Sequence, residues 1–101
     1  MKYNSLGATG VTVSEIAFGC GPKAGLIVKG SPEERRRAVA CALDLGINLF
    51  DTASIYGSGM SETHLGETLK ELKATPIIGS KVALETPDLM DIKGNVIRSV
   101  E

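Results

Sequence analysis

Apolar residues along the chain fall into two alternating rhythms. The first is the short, mostly apolar run: Glu15–Phe18, Ile47–Phe50 and Pro76–Lys81 are each closed by glycine or a polar residue, as buried strands are. Pro76 takes the first position of its run, where a missing donor is tolerated. The second rhythm is helical. Val39 and Leu43, with Ala38, Cys41, Ala42 and Leu45 around them, form one stripe, and Leu65, Leu69 and Leu72 form another at i, i+4 and i+7. Ahead of these, Lys2–Leu6 and Val11–Ser14 flank Gly7-Ala8-Thr9-Gly10, a turn composition that predicts a β-hairpin.

Local signals mark where the helices begin and end. Ser31-Pro32-Glu33-Glu34 reads as a capping box with proline at the first helical position. Gly46 suits a left-handed helix terminus, and Glu33 and Arg37 are spaced as an i,i+4 ion pair. Ser61 is the expected cap of the next helix, with Met60 and Leu65 as a hydrophobic staple. Ile92–Glu101 opens a third helix, whose stripe of Val96, Ile97 and Val100 is still running at the last residue.

Strands starting near 15, 47 and 77 and helices near 31, 61 and 94 make repeating strand–helix units. Such units imply parallel strands joined by right-handed crossovers. Two α/β architectures fit, an open doubly wound sheet or a closed (β/α) barrel. A barrel needs eight units over about 250 residues, and about three are present. The expectation is one partial, truncated domain: a hairpin over residues 1–14 and the first three β/α units over 15–101.

Composition narrows the function classes. A formal net charge of -1 gives no electrostatic reason to expect nucleic acid or an anionic membrane as partner. Arg35-Arg36-Arg37, preceded by Glu33 and Glu34, reads as a solvated helix face. Cys20 and Cys41 have no C-x-x-C spacing, which argues against a zinc site or a disulfide framework. Free thiols, no apolar leader and no run near the ~18 apolar residues of a membrane span lead to an expected cytoplasmic setting.

In parallel α/β folds, strand C-termini and the loops after them converge on one site. Here that rule selects Gly19–Pro22, Asp51–Gly59 and Lys81. Strands about 4.8 Å apart can bring the Asp51 carboxylate to the Lys81 ammonium, and the glycine-bounded loop can fold Tyr56 back over them. An ammonium beside a phenol favours the phenolate, which suits Tyr56 to give a proton to an oxygen gaining negative charge. Spacing alone leaves simpler readings open: Asp51 as a turn cap, Lys81 as a solvated strand end, Tyr56 as a packed aromatic. His64, off the leucine stripe, is expected to face solvent and to be non-catalytic. Cys20 is expected to be a buried bystander. Gly19-Cys20-Gly21 does not extend to G-x-G-x-x-G, because position 24 is Ala.

Longer motifs carry a family resemblance. Leu6-Gly7-Ala8-Thr9-Gly10-Val11-Thr12-Val13-Ser14, the block Gly46-Ile47-Asn48-Leu49-Phe50-Asp51-Thr52-Ala53-Ser54-Ile55-Tyr56-Gly57, Ser61-Glu62 with Leu65-Gly66-Glu67, and Ser80-Lys81-Val82 resemble, in order, the signatures of microbial-type aldo-keto reductases. The resemblance implies the N-terminal portion of a (β/α)8 barrel closed at its base by the hairpin. It implies metal-free reduction of an aldehyde, ketone or sugar carbonyl with NADP(H), or alternatively NAD(H). Carried over, Tyr56 is the proton donor, Lys81 lowers its pKa, and Asp51 holds the lysine and lies near the nicotinamide ribose. Gly21 is the other expected cofactor contact. The family's fourth catalytic residue, a histidine, follows a later strand. His64 does not align with it, so the 101-residue chain is expected to be inactive alone. A binding or regulatory barrel resembling potassium-channel β subunits is the competing reading, and a fragment without function of its own is a third.

Overall fold

A computed structural model describes residues 1–101. β1 (Tyr3–Ser5) pairs antiparallel with β2 (Thr12–Ser14), the expected hairpin. β3 (Phe18–Gly19), β4 (Leu49–Asp51) and β5 (Ile77–Gly79) then form a parallel sheet in chain order. Between β3 and β4 lie α1 (Leu26–Lys29) and α2 (Pro32–Asp44). Between β4 and β5, a 3-10 turn at Tyr56–Gly59 runs directly into α3 (Met60–Leu72). After β5, a second 3-10 turn at Thr86–Asp91 leads into α4 (Ile92–Val100).

The strand–helix alternation follows the apolar pattern, but the strands are shorter than it predicts. β3 begins at Phe18 rather than Glu15, because Glu15, Ile16 and Ala17 are exposed and outside the ladder. There the Ser14 hydroxyl donates to the Ile16 carbonyl and turns the chain. α1 has no counterpart in the sequence reading. One turn is too short to show a helical period, and only its Ile27 is buried.

At the start of α2 the capping box forms. The Ser31 hydroxyl accepts from Glu34 N–H at 3.2 Å, and the Glu34 carboxylate accepts from Ser31 N–H at 2.8 Å. These bonds, with a smaller contribution from Arg37, hold the Glu34 carboxyl below the ordinary glutamate value. Three expectations for this helix fail. Its buried residues are Arg35, Val39 and Ala42, an i, i+4, i+7 set that begins at Arg35. Arg35 is therefore not part of a solvated face; it is buried, and Nη1 donates to the Gly30 carbonyl at 2.6 Å. Cys41 and Leu45 fall off this stripe and are exposed. Glu33 and Arg37 do not form an ion pair. The helix ends as expected, with Gly46 at φ 88°. A side chain there would also strike Tyr3, whose hydroxyl donates to the Gly46 carbonyl at 2.7 Å.

α3 starts two residues earlier than its sequence signals. Gly59, at φ 93°, occupies the cap position and no side chain caps the helix. Met60 is the first helical residue and is exposed, so the predicted staple does not form. Ser61 is displaced from the cap into the helix and turned inward, fully buried. Leu65 and Leu69 are buried and Leu72 half-buried, as the stripe requires. His64 does not face solvent: its Nδ1 lies 2.7 Å from the Ile27 carbonyl. A carbonyl only accepts, so Nδ1 carries the proton and ties α3 to α1.

The core lies between the sheet and α1, α2 and α3: Cys20, Ile27, Val39, Ala42, Phe50, Leu65 and Leu69. Phe50 has no exposed surface and stacks on Phe18 at 5.2 Å between ring centroids. Asn48 joins the hairpin to β4. Its Oδ1 accepts from Ser14 N–H at 2.7 Å, its N–H donates to Ser14 Oγ at 3.1 Å, and its Nδ2 donates to the Thr12 carbonyl at 3.0 Å. Replacing Ser31 by Ala removes one half of the capping box and is expected to lower stability by about 1 kcal/mol. Urea unfolding checks this, and Ser31→Asp, another good cap, should recover most of the loss.

Candidate active site

Two features of the sheet build the site. Parallel pairing aligns Gly19, Asp51 and Gly79 across the three strands. Side chains alternate along a strand, so Asp51 faces away from Phe50 and the helix-packed core. Its neighbours on both sides are glycines, and the rim around its carboxylate stays open.

Backbone bonds across the strand ends then fix the loops. Cys20 N–H donates to the Asp51 carbonyl and Thr52 N–H to the Gly79 carbonyl, each at 2.8 Å. Lys81 is held at both ends. Its carbonyl accepts from Ser54 N–H at 3.3 Å and Ser54 Oγ at 3.0 Å. Its ammonium donates to Asp51 at 2.9 and 3.1 Å and to the Thr52 carbonyl at 2.8 Å. Tyr56 closes the group, its ring centroid 5.1 Å from Lys81 Nζ. The neighbouring Gly57 makes that approach possible. It has φ 60°, and a side chain there would strike Val28 of α1.

The structure therefore brings together Asp51, Tyr56 and Lys81, the three residues singled out from strand ends alone. The hydrogen bond from Lys81 to Asp51 and the carboxylate charge, with a further contribution from Tyr56, raise the Lys81 pKa above its ordinary value of 10.5 against some desolvation. Both charged side chains are about half exposed, so salt screens the pair.

Beside this group lies an open groove of about 420 Å³, lined by Gly19, Gly21, Pro22, Lys23, Asp51 and Tyr56 among others. Gly21 borders Tyr56: a methyl built on it would stand 3.8 Å from the phenol ring. The groove thus has a carboxylate and a phenol on one wall, bare backbone on another and the Lys23 side chain among its lining. A planar ring carrying a hydroxylated sugar fits that chemistry, because the carboxylate can accept from hydroxyls and the glycines leave room. No group of three His, Cys, Asp or Glu side chains is placed to hold a metal ion.

Cys20 and His64 stand outside this arrangement. Cys20 is buried, and burial, reinforced by the charge of Asp51, pushes its thiol up to about 11. It packs in the core as a neutral thiol, while His64 is committed to Ile27. The sequence reading missed that Gly19 and Gly79 flank Asp51, which emerges only once the register is known. It also missed the Ser54 contacts with Lys81, for which the spacing gives no signal.

The family model described as the aldo/keto reductase family matches residues 15–101. The chain belongs to the aldo/keto reductase family. It is 36% identical over 88 residues to aldo-keto reductase YhdN of Bacillus subtilis, covering 84% of this chain and 27% of that protein. It is 33% identical over 87 residues to a probable voltage-gated potassium channel subunit beta of Arabidopsis thaliana, covering 81% of this chain and 25% of that one. Among solved structures it resembles the holo form of aldo-keto reductase AKR11C1 from Bacillus halodurans, with a TM-score of 0.67 and 35% identity over 81% of this chain and 26% of that one. The chain spans about a quarter of the length of these relatives. Its three parallel strands with alternating helices are the corresponding portion of an aldo/keto reductase (β/α)8 barrel, and the doubly wound alternative falls away.

Two outcomes follow for the side chains described. A thiol reagent at pH 8 should label exposed Cys41 rapidly and Cys20 only on unfolding; equal rates would contradict the buried, neutral thiol. For Lys81, the folded-state pKa lies above the unfolded one. Its stabilising contribution is therefore full below 10.5 and lost as pH rises through the raised value. In Asp51→Asn the Lys81 titration, followed by ¹⁵N NMR of the ammonium, should move down.

Proposed function

We propose that this chain supplies the acid–base part of a site that reduces a small aldehyde, ketone or sugar carbonyl, using NADP(H), with NAD(H) as the alternative. The observation that carries the reading is the Asp51–Lys81 pair beside Tyr56 at the mouth of an open groove. Membership of the aldo/keto reductase family supports it.

A nicotinamide cofactor, when bound, would supply the hydride. Asp51 would accept from its ribose hydroxyl, and the bare backbone at Gly21 would leave room for the ring. Tyr56 hydrogen-bonds the substrate carbonyl oxygen and gives it a proton as negative charge develops there. The Lys81 ammonium stabilises the phenolate that remains, and Asp51 keeps that ammonium charged and aimed. Two free cysteines support a reducing, cytoplasmic setting, and no helix is long and apolar enough to cross a membrane.

In the whole protein, Tyr56→Phe is expected to lower kcat by at least about a hundredfold, the usual contribution of a general acid. The affinity for NADPH, read by fluorescence titration, should stay within about threefold of wild type, since the lost group acts in the transition state. Retained turnover across a panel of aldehydes would remove Tyr56 from the role. The similarity to a potassium channel subunit beta favours one second reading, a regulatory barrel. Co-purification with a membrane protein, together with negligible turnover, would support it.

A further inference from the structure

Ser61 and Thr52 form a buried hydroxyl link that the acid–base group does not use. Both side chains are buried, at 0% and 1% exposure. Their hydroxyls are 2.7 Å apart, and Ser61 Oγ lies 2.9 Å from the Cys20 carbonyl. The proton positions follow from the chemistry. A carbonyl cannot donate, so the single Ser61 proton goes to Cys20. Thr52 must then donate to Ser61. The link therefore has one direction, Thr52 to Ser61 to Cys20, and every donor in it is used.

Its three members come from three different segments: the loop after β3, the loop after β4 and the first turn of α3. The next residue of α3, Glu62, accepts from the Ser80 hydroxyl at 2.5 Å, and Ser80 directly precedes Lys81. One helical turn thus holds the loops at the C-terminal ends of all three strands. Thr52 is the member closest to the charged group, since its own carbonyl accepts from the Lys81 ammonium.

The geometry points to Thr52 and Ser61 as positioning residues: the first turn of α3 sets the place of Lys81 relative to Asp51 and Tyr56 through a directed pair of buried hydroxyls. This rests on the carbonyl-reduction reading for its effect on rate, but not for its effect on Lys81. Buried hydroxyls in an apolar core add little stability beyond what matched apolar groups would give, so their use here is orientation. It also accounts for the displacement of Ser61 from the cap position. A serine spent on capping could not reach Cys20.

The test uses the whole protein with three variants, Thr52→Val, which keeps the shape and loses the hydroxyl, Thr52→Ser, which restores it, and Ser61→Cys, which is slightly larger and weakens the bond. Thr52→Val is expected to lower kcat per cofactor-binding site by about ten- to a hundredfold, as small misplacements of reacting groups do. NADPH affinity should be unchanged and the ¹⁵N titration of the Lys81 ammonium should move down towards an ordinary lysine. Thr52→Ser should restore both rate and titration, and Ser61→Cys should fall between, which also decides the matter if Thr52→Val does not fold. Wild-type kcat and Lys81 titration in Thr52→Val, or in Ser61→Cys where only that variant folds, would overturn the proposal. So would a fall in melting temperature with both readouts unchanged, or Thr52→Ser failing to rescue. Absence of turnover in wild type would count against carbonyl reduction itself, and the Lys81 titration would still decide the role of the link.

Discussion

Parallel register across three short strands is the constraint on which the arrangement depends. Because Gly19, Asp51 and Gly79 stand in line, the only side chain in that row is a carboxylate, and the residues after each strand end begin at one level. Lys81 can then reach that carboxylate, and Tyr56, from a different loop, can close over the Lys81 ammonium. A one-residue slip of β4 would turn Asp51 into the core and Phe50 out of it. The apolar stack of Phe18 on Phe50 therefore protects the polar site on the opposite face.

The helices and the hairpin serve that register at its two ends. At the base, Asn48 fastens the hairpin to β4 through three hydrogen bonds, fixing the chain just before the strand. At the other end, the first turn of α3 reaches the loops after all three strands through Ser61 and Glu62. β4 is thus bounded by polar contacts on either side of its buried phenylalanine. α4 does less: it carries no buried residue, and Ile97 and Val100 remain exposed.

Much of this was legible in the sequence, where local chemistry and tertiary structure agree. The capping box at Ser31, the left-handed stop at Gly46 and the Leu65–Leu69 stripe depend on spacing within one element, and spacing is what a sequence displays. Asp51, Tyr56 and Lys81 were found because strand ends converge in any parallel α/β fold. Misreadings arose where a contact crosses elements. Arg35 looks like one of three surface arginines until Gly30, which closes an α1 too short to show a period, offers it a carbonyl. Ser61 looks like a cap until the 3-10 turn at Tyr56–Gly59 supplies an earlier start to the helix. His64 looks solvent-facing for the same reason, since its partner Ile27 lies in that unseen turn of α1.

Asp51, Tyr56 and Lys81 are proposed to form the proton-delivering part of a hydride-transfer site. The most direct measurement is the fate of deuterium when the whole protein is given an aldehyde and NADPH labelled at the nicotinamide C4 position. One deuterium is expected at the former carbonyl carbon, on a single face, with the hydroxyl proton drawn from solvent. Alcohol carrying no deuterium with either C4 epimer of the cofactor, or no alcohol at all across aldehydes, ketones and sugars, would contradict it.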